Sequence, residues 1–266
     1  MPRQERPDAD RTTFDVRAVA DEIDAELCEK GTVDRAQHEK SYLKSDLVHY
    51  GVSVPAIRSV AKGIARRHPA LQHDDLVALV EILWREPEDG PVHERRMAAV
   101  ELLGLHSQLL DVSDLPLLER LLRESRTWAL VDGLAATVVG GIVERAEGTS
   151  NGDVVPARSV EAVLDRWSTD DDFWIRRAAL LAHLVALRNG RGNFERFARY
   201  ADAMLDEKEF FIRKAIGWVL RDTARKRPRL VYEWLLPRAA RASTVTVREA
   251  VKYLDAEQRE AILAAR

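Results

Sequence analysis

Asp132 is the residue whose setting most needs a chemical explanation, because it is the only acid in the apolar segment Thr127 to Val143. Trp128 precedes it by four positions, so in a helix the two side chains lie on one face. A carboxylate beside an indole ring suits a cationic ligand, since the ring attracts it through its π-electrons and the carboxylate through its charge. The alternative reading is structural: Asp132 caps a neighbouring helix or pairs with an arginine.

A second group of candidate residues opens a later apolar segment, where Phe173 and Trp174 precede Arg176 and Arg177. The acidic run at 170–172 before them is typical of a helix N-terminus, where the helix dipole favours negative charge. Trp174 and one of the arginines equally suit packing between helices. Only one arginine needs to face a ligand, and the sequence leaves open which.

Positive charge is concentrated in residues 208–248, which contain 11 Lys or Arg against Glu209, Asp222 and Glu233, an excess of +8. The whole chain has a formal charge of -3, so any site for a polyanion must be a local patch. Trp218 lies within this basic region. Basic side chains beside an aromatic ring are typical of a surface that follows phosphates, although these residues cannot all share one helical face.

Several kinds of site have no support in the sequence. Cys28 is the only cysteine, which excludes an internal disulfide and a cysteine-built zinc site. A phosphate-binding glycine loop, an HExxH motif and a nucleophile elbow are all missing, and the seven His lack metal-ligand spacing. We therefore expect neither a metal nor a cofactor.

The N-terminal residues 1–15 are polar, and no stretch reaches the roughly 18 uncharged residues that a membrane helix needs. We therefore expect a soluble protein without membrane contact, and the single cysteine favours the reducing cytoplasm.

The sequence predicts that the elements carrying these residues are helices almost throughout. Apolar residues recur at three and four positions, and Gly or Pro separate the segments. One such stripe comprises Leu76, Leu79, Val80, Leu83 and Trp84. About a dozen short helices in one chain predict an all-α fold, specifically an α-solenoid of stacked antiparallel helix pairs with a period of about 40 residues.

We expect one domain over residues 12–266, preceded by a disordered tail at 1–11. Residues 147–158 contain two Gly together with Ser, Thr, Asn and Pro, which predicts a long surface loop.

Six blocks of the sequence, within about residues 40 to 254, form an ordered set: SYLKSDL (41–47), YGVSVP (50–55), TWALVD (127–132), FWIRRA (173–178), EFFIRKAIGWVLR (209–221) and VREAVK (247–252). Together they resemble the motifs of the AlkD-like DNA alkylation repair proteins, and the block containing Gly217 and Trp218 is the most specific. The resemblance implies a C-shaped stack of HEAT-like repeats whose basic concave face holds duplex DNA.

The resemblance also implies a monofunctional DNA glycosylase that excises cationic N3- or N7-alkylated purines and leaves an abasic site without strand cleavage. In the family, two tryptophans, an aspartate and an arginine surround the damaged nucleotide. The matching residues here are Trp128, Trp218, Asp132 and Arg177, of which the first three are the expected catalytic residues. DNA contacts are expected from Arg177, Tyr42, Lys44, Arg213, Lys214, Arg221 and Arg248. The expected partner is double-stranded DNA, bound by a monomer.

Two alternatives from other functional classes stay open. One is a non-catalytic HEAT-like module that binds damaged or branched DNA. The other is a HEAT-type scaffold that binds protein, which the near-neutral total charge permits. Retention of Asp132 together with Trp128 and Trp218 favours the glycosylase over the first alternative.

Overall fold

The computed structural model describes residues 14–148 and 154–266. In these residues all regular elements are helical, and the only β-type pairing is an isolated bridge between Val48 and Val92. The prediction of an all-α helical repeat fold is confirmed. Among the described helices, none combines the length with the hydrophobicity that spanning a bilayer requires.

The described residues group into two compact units that meet in sequence at Leu105 and His106. The first unit contains α1 (Val16–Lys30), α2 (Val33–Leu43), α3 (Val54–Arg67), α4 (His73–Arg85) and α5 (His93–Leu105). The second begins with α6 (Leu115–Ser125), α7 (Trp128–Gly133), α8 (Gly140–Gly148), α9 (Val154–Ser168), α10 (Phe173–Leu181) and α11 (Leu184–Arg188). It ends with α12 (Phe194–Ala203), α13 (Phe210–Ala224), α14 (Pro228–Leu235), α15 (Thr244–Ala250) and α16 (Ala256–Ala264).

The core of the first unit contains the apolar stripe that the sequence predicts. All five residues of that stripe, from Leu76 to Trp84, are completely buried on α4. This face of α4 packs against α1 and α5, and α3 packs against α1 and α5 as well. The hydrophobic periodicity therefore identifies the inner face of α4 correctly.

In the second unit, α10 occupies a central position and packs against α6, α7, α9 and α13. A π-helical segment, Leu134–Val139, joins α7 directly to α8, so that the chain stays helical from Trp128 to Gly148. Five of the six residues in this segment are buried.

Helix α13 packs on α10 at one side and on α15 at another. The approach to α15 is close at Gly217, where a Cβ atom would lie 2.9 Å from the Thr246 carbonyl oxygen. The glycine before Trp218 is therefore explained by packing between helices.

Two sequence predictions concern chain segments outside this helical framework. The predicted tail at 1–11 lies outside the described residues. The loop predicted over 147–158 is wrong at both ends, because α8 runs through Gly148 and α9 begins at Val154, while residues 149–153 lie outside the described residues. Pro156, part of the predicted loop, lies in the first turn of α9, where a missing N–H costs no hydrogen bond. That one domain spans 12–266 stays a prediction.

Candidate active site

Trp128 and Asp132 are placed by the abrupt start of α7. Arg126 adopts a left-handed conformation with φ of 46° after α6, and Thr127 is extended, so the chain turns and a new helix begins at Trp128. Asp132 follows one turn later on the same face, as the spacing predicts. Both side chains are partly exposed, and the side chain of Asp132 retains 17% of its accessible surface.

Asp132 forms a bidentate ion pair with Arg177 of α10. The Arg177 Nε donates to Asp132 Oδ1 at 2.8 Å, and its Nη2 donates to Oδ2 at 2.9 Å. The third nitrogen, Nη1, donates to the backbone carbonyl of Phe211 on α13. Arg177 is only 3% exposed. The structural alternative for Asp132, a pair with an arginine, is therefore realised, while the carboxylate still reaches the surface.

The two adjacent arginines of α10 point to different partners. Asp172 caps this helix by accepting a hydrogen bond from the Trp174 backbone N–H at 2.9 Å, as the acidic run predicts. Arg176 donates to both carboxylate oxygens of Glu207, at 3.0 and 2.8 Å. Arg177 is consequently the arginine on the side of Asp132. As placed, its guanidinium is engaged inside the protein, and its contact with DNA stays a prediction.

Aromatic side chains fix α10 against the beginning of α13. The Phe211 ring is nearly parallel to that of Phe173 at 6.2 Å and lies 4.8 Å from Trp174. The Arg177 guanidinium also lies 5.8 Å from the centre of the Phe211 ring. The role of Phe211 is missed by the sequence reading, because its contribution is a backbone carbonyl and a packed ring.

Trp218 lies two turns after Phe211 on the same face of α13. It is half-buried, and its indole Nε1 is buried without a hydrogen-bond partner in the part of the chain that the structure describes. A buried N–H donor without an acceptor is rare, because its desolvation is not compensated. The Trp218 indole N–H is therefore a buried donor that no described residue uses.

Three of the eleven basic residues in 208–248 pair with acids that lie outside this window. Arg221 binds Asp222 and Glu249, while Arg238 and Arg241 bind Asp202. The excess of +8 counted along the sequence therefore overstates the local charge. A charge count over residues 208–248 misses these ion pairs, because Asp202 and Glu249 lie outside that range.

Three of the predicted DNA contacts in this region differ in how they are engaged. Arg213 donates from Nε to the Glu207 carbonyl at 2.6 Å. Lys214 is exposed, with its ammonium 6.0 Å from the centre of the Phe210 ring. Arg248 is exposed and has no ion pair within the described ranges. Lys214 and Arg248 are thus the predicted contacts with the most accessible charge.

The remaining predicted contacts, Tyr42 and Lys44, lie in the first unit at the end of α2. The Tyr42 side chain is 67% exposed, and its ring is parallel to that of His38 at 6.4 Å. Lys44 is the C-cap residue of α2 and adopts a left-handed conformation with φ of 49°. Both are accessible, and their contact with DNA stays a prediction.

Residues 23–254 match a family model described as DNA alkylation repair enzyme. Among solved structures, a predicted DNA alkylation repair enzyme from Enterococcus faecalis matches with a TM-score of 0.71 and 21% identity, over 85% of this chain and 98% of that one. AlkD2 from Streptococcus mutans matches with a TM-score of 0.52 and 18% identity, over 91% and 100% of the two chains. No curated protein sequence matches this chain.

Proposed function

Because this chain belongs to the family of DNA alkylation repair enzymes, we propose that it is a DNA glycosylase. Its substrates are N3- and N7-alkylated purines in duplex DNA, released by hydrolysis of the N-glycosidic bond. The observation that supports this most directly is Asp132, a fixed and partly exposed carboxylate one helical turn from Trp128.

The chemistry requires few protein groups. Alkylation at N3 or N7 gives the purine a positive charge, so the base is a good leaving group and little acid catalysis is needed. As the bond breaks, the deoxyribose acquires oxocarbenium character. The carboxylate of Asp132 stabilises this developing charge and orients the water that captures the sugar. The product is an abasic site, and no lysine nucleophile or strand cleavage is required.

Arg177 contributes to this mechanism by holding the carboxylate in one orientation. Its Nε and Nη2 bind one lone pair on each Asp132 oxygen, and the other lone pairs remain for water or the sugar. The positive charge of Arg177 also partly offsets the negative charge of Asp132 at the reacting sugar. The ion pair therefore weakens the electrostatic stabilisation by Asp132 but fixes the orientation of its carboxylate. A DNA phosphate near this pair competes with Asp132 for the guanidinium.

The two tryptophans supply the walls of the proposed site. Indole faces attract positive charge, so Trp128 and Trp218 favour the sugar as it becomes cationic.

DNA affinity in this proposal comes from a few accessible cations rather than from the whole basic region. Lys214 and Arg248 carry exposed charge in the second unit, and Lys44 does so in the first. Arg213, Arg221 and Tyr42 complete the proposed contacts. We place the enzyme as a monomer in the cytoplasm, where its exposed Cys28 stays reduced.

The deciding experiment measures base release from a duplex that contains one N7-methylguanine. We expect the wild-type protein to release the base above the spontaneous rate and to leave a strand that breaks only after alkali. Asp132→Asn should remove most of this activity while DNA affinity stays nearly unchanged, because charge is lost but shape is kept. Asp171→Asn is the matched control, since Asp171 is an exposed acid of the same unit.

The pairing of Asp132 with Arg177 favours one alternative, a non-catalytic module that binds damaged or branched DNA. In that case the carboxylate only holds α7 to α10 and has no chemical role. Salt-dependent DNA binding without base release would establish this alternative. Loss of both base release and salt-dependent binding would favour a protein-binding scaffold instead.

A further inference from the structure

Three potential metal ligands converge in the first unit, where no predicted site residue is involved. Glu39 comes from α2, His49 from the segment after it and Glu94 from the first turn of α5. One ligand atom from each residue lies within 4.8 Å of those of the other two. No hydrogen bond joins the three residues to one another. The donors therefore face a common gap that they do not fill themselves.

His49 gives the clearest sign that this gap needs an occupant. Both of its ring nitrogens are buried, and neither has a hydrogen-bond partner in the part of the chain that the structure describes. One face of the ring is stacked on His93, with ring centres 4.6 Å apart. Burial of an imidazole without partners for its nitrogens is unfavourable, so an ion or a water molecule must satisfy at least one of them.

Glu94 is a carboxylate held rigidly in position. It is completely buried, and its Oε1 accepts hydrogen bonds from the backbone N–H groups of Gly51 at 2.6 Å and Val52 at 3.1 Å. Its Oε2 accepts only one, from the Tyr50 N–H at 3.0 Å, and so keeps a lone pair. The three backbone donors hold this buried carboxyl group in one position.

Glu39 brings a second carboxylate to the same gap. Arg35 binds one of its oxygens at 2.7 Å, and the side chain retains 18% of its accessible surface. Two carboxylates that approach this closely repel each other unless a cation or a proton lies between them. One arginine balances only one of the two negative charges.

We propose that Glu39, His49 and Glu94 bind a divalent transition-metal ion, for which Zn²⁺ is the probe of choice. One imidazole nitrogen and two carboxylate oxygens form a ligand set that Zn²⁺ accepts, with a water molecule in the fourth position. The imidazole favours Zn²⁺ over Mg²⁺, which prefers oxygen ligands and retains its own water. The ion connects α2, the segment at 49–52 and α5, and so stabilises the first unit.

The test is a titration of the full-length protein with Zn²⁺ after treatment with a chelator, followed by calorimetry. We expect one equivalent to bind, the melting temperature to rise with Zn²⁺ concentration, and Mg²⁺ to have no such effect. Co²⁺ in place of Zn²⁺ should give the visible absorption of a low-coordinate N/O site. His49→Ala should weaken binding by more than the roughly 10- to 100-fold that loss of an outer-shell partner causes.

Two controls make the result specific. His73→Ala should bind Zn²⁺ like the wild type, although His73 is also a histidine beside a carboxylate, 2.9 Å from Asp74. Cys28→Ser should bind equally well, which excludes the exposed thiol as the ligand. If His49→Ala does not fold, Glu39→Gln tests the site instead, because Glu39 is partly exposed and its substitution disturbs the core less.

Two outcomes overturn the inference: a wild-type protein that binds no Zn²⁺, and a variant at Glu39 or His49 that binds it as tightly as the wild type does. In either case the gap holds water. The readouts are metal binding and melting temperature, so they do not depend on the glycosylase proposal, which is decided by base release.

Discussion

Replacing Arg177 by methionine should destabilise the second unit through the charge left behind on Asp132. Arg177 is 3% exposed and makes two charge-assisted bonds to Asp132 and one to the Phe211 carbonyl. Removing one partner of a buried ion pair costs about 3–5 kcal/mol. Because Asp132 is 17% exposed and water can solvate it, we expect a loss in the free energy of unfolding of about 3 kcal/mol.

Asp132→Asn tests the same ion pair by removing the negative charge instead of the positive one. Asparagine retains one acceptor oxygen for the guanidinium but loses the charge, so we expect a cost of about 2 kcal/mol, within the range for a hydrogen bond to a charged group. The double variant leaves no uncompensated charge at either position. Its cost should therefore be about 3 kcal/mol rather than the sum of about 5, which corresponds to a coupling energy of about 2 kcal/mol.

Urea unfolding followed by tryptophan fluorescence provides the assay, because five of the six tryptophans lie in the second unit. Arg176→Met combined with Asp132→Asn is the matched control, and its effects should add because Arg176 binds Glu207 instead. Additive effects of Arg177→Met and Asp132→Asn, within about 0.5 kcal/mol, would refute the coupling. Base release by the Arg177 variant should also fall if orientation of the carboxylate matters for catalysis.

Three further predictions concern other features of the second unit. Lys214→Ala should reduce the salt dependence of DNA binding by about 0.9 in log–log slope, since one phosphate contact is lost, and an unchanged slope would remove Lys214 from the interface. Gly217→Ala should lower the free energy of unfolding by about 1–3 kcal/mol, because the added methyl group meets the Thr246 carbonyl at 2.9 Å; urea unfolding that matches the wild type would contradict this. Hydrogen bonds, chiefly from Arg166, lower the pKa of Glu119 from 4.5 to about 2. The unfolded chain therefore binds this proton first, so the stability advantage of the wild type over Glu119→Gln should be full above pH 4.5 and decline as the pH falls toward 2, and an advantage that does not decline would exclude this role.

The sequence predicts those features of the site that depend on positions close together in the chain. The apolar stripe on α4, the shared face of Trp128 and Asp132, and the cap formed by the acidic run at 170–172 all follow from helical spacing and from the helix dipole. Each of these features is set by residues within at most three consecutive turns of one element, and a single sequence contains that information.

Contacts between distant positions were not predicted in the same way. Asp132 and Arg177 are separated by 45 residues, and the sequence left open both the choice between Arg176 and Arg177 and the chemical role of Asp132. The Phe211 contribution is a backbone carbonyl, which every residue type possesses. The outside acids that pair with Arg221, Arg238 and Arg241, namely Glu249 and Asp202, belong to other helices. The packing of the helices determines which of these residues come into contact, and a charge count along the chain contains no information on that packing.

The π-helical segment Leu134–Val139 separates two differently oriented parts of one continuous helix. A π turn accommodates an additional residue, which shifts the angular phase of all later positions by about 100° relative to an uninterrupted α-helix. The direction in which Trp128 and Asp132 point is thereby uncoupled from the direction in which α8 buries its apolar side. Deletion of one residue within this turn would restore regular winding and force either the face that carries Trp128 and Asp132 or the buried face of α8 to rotate away from its neighbours.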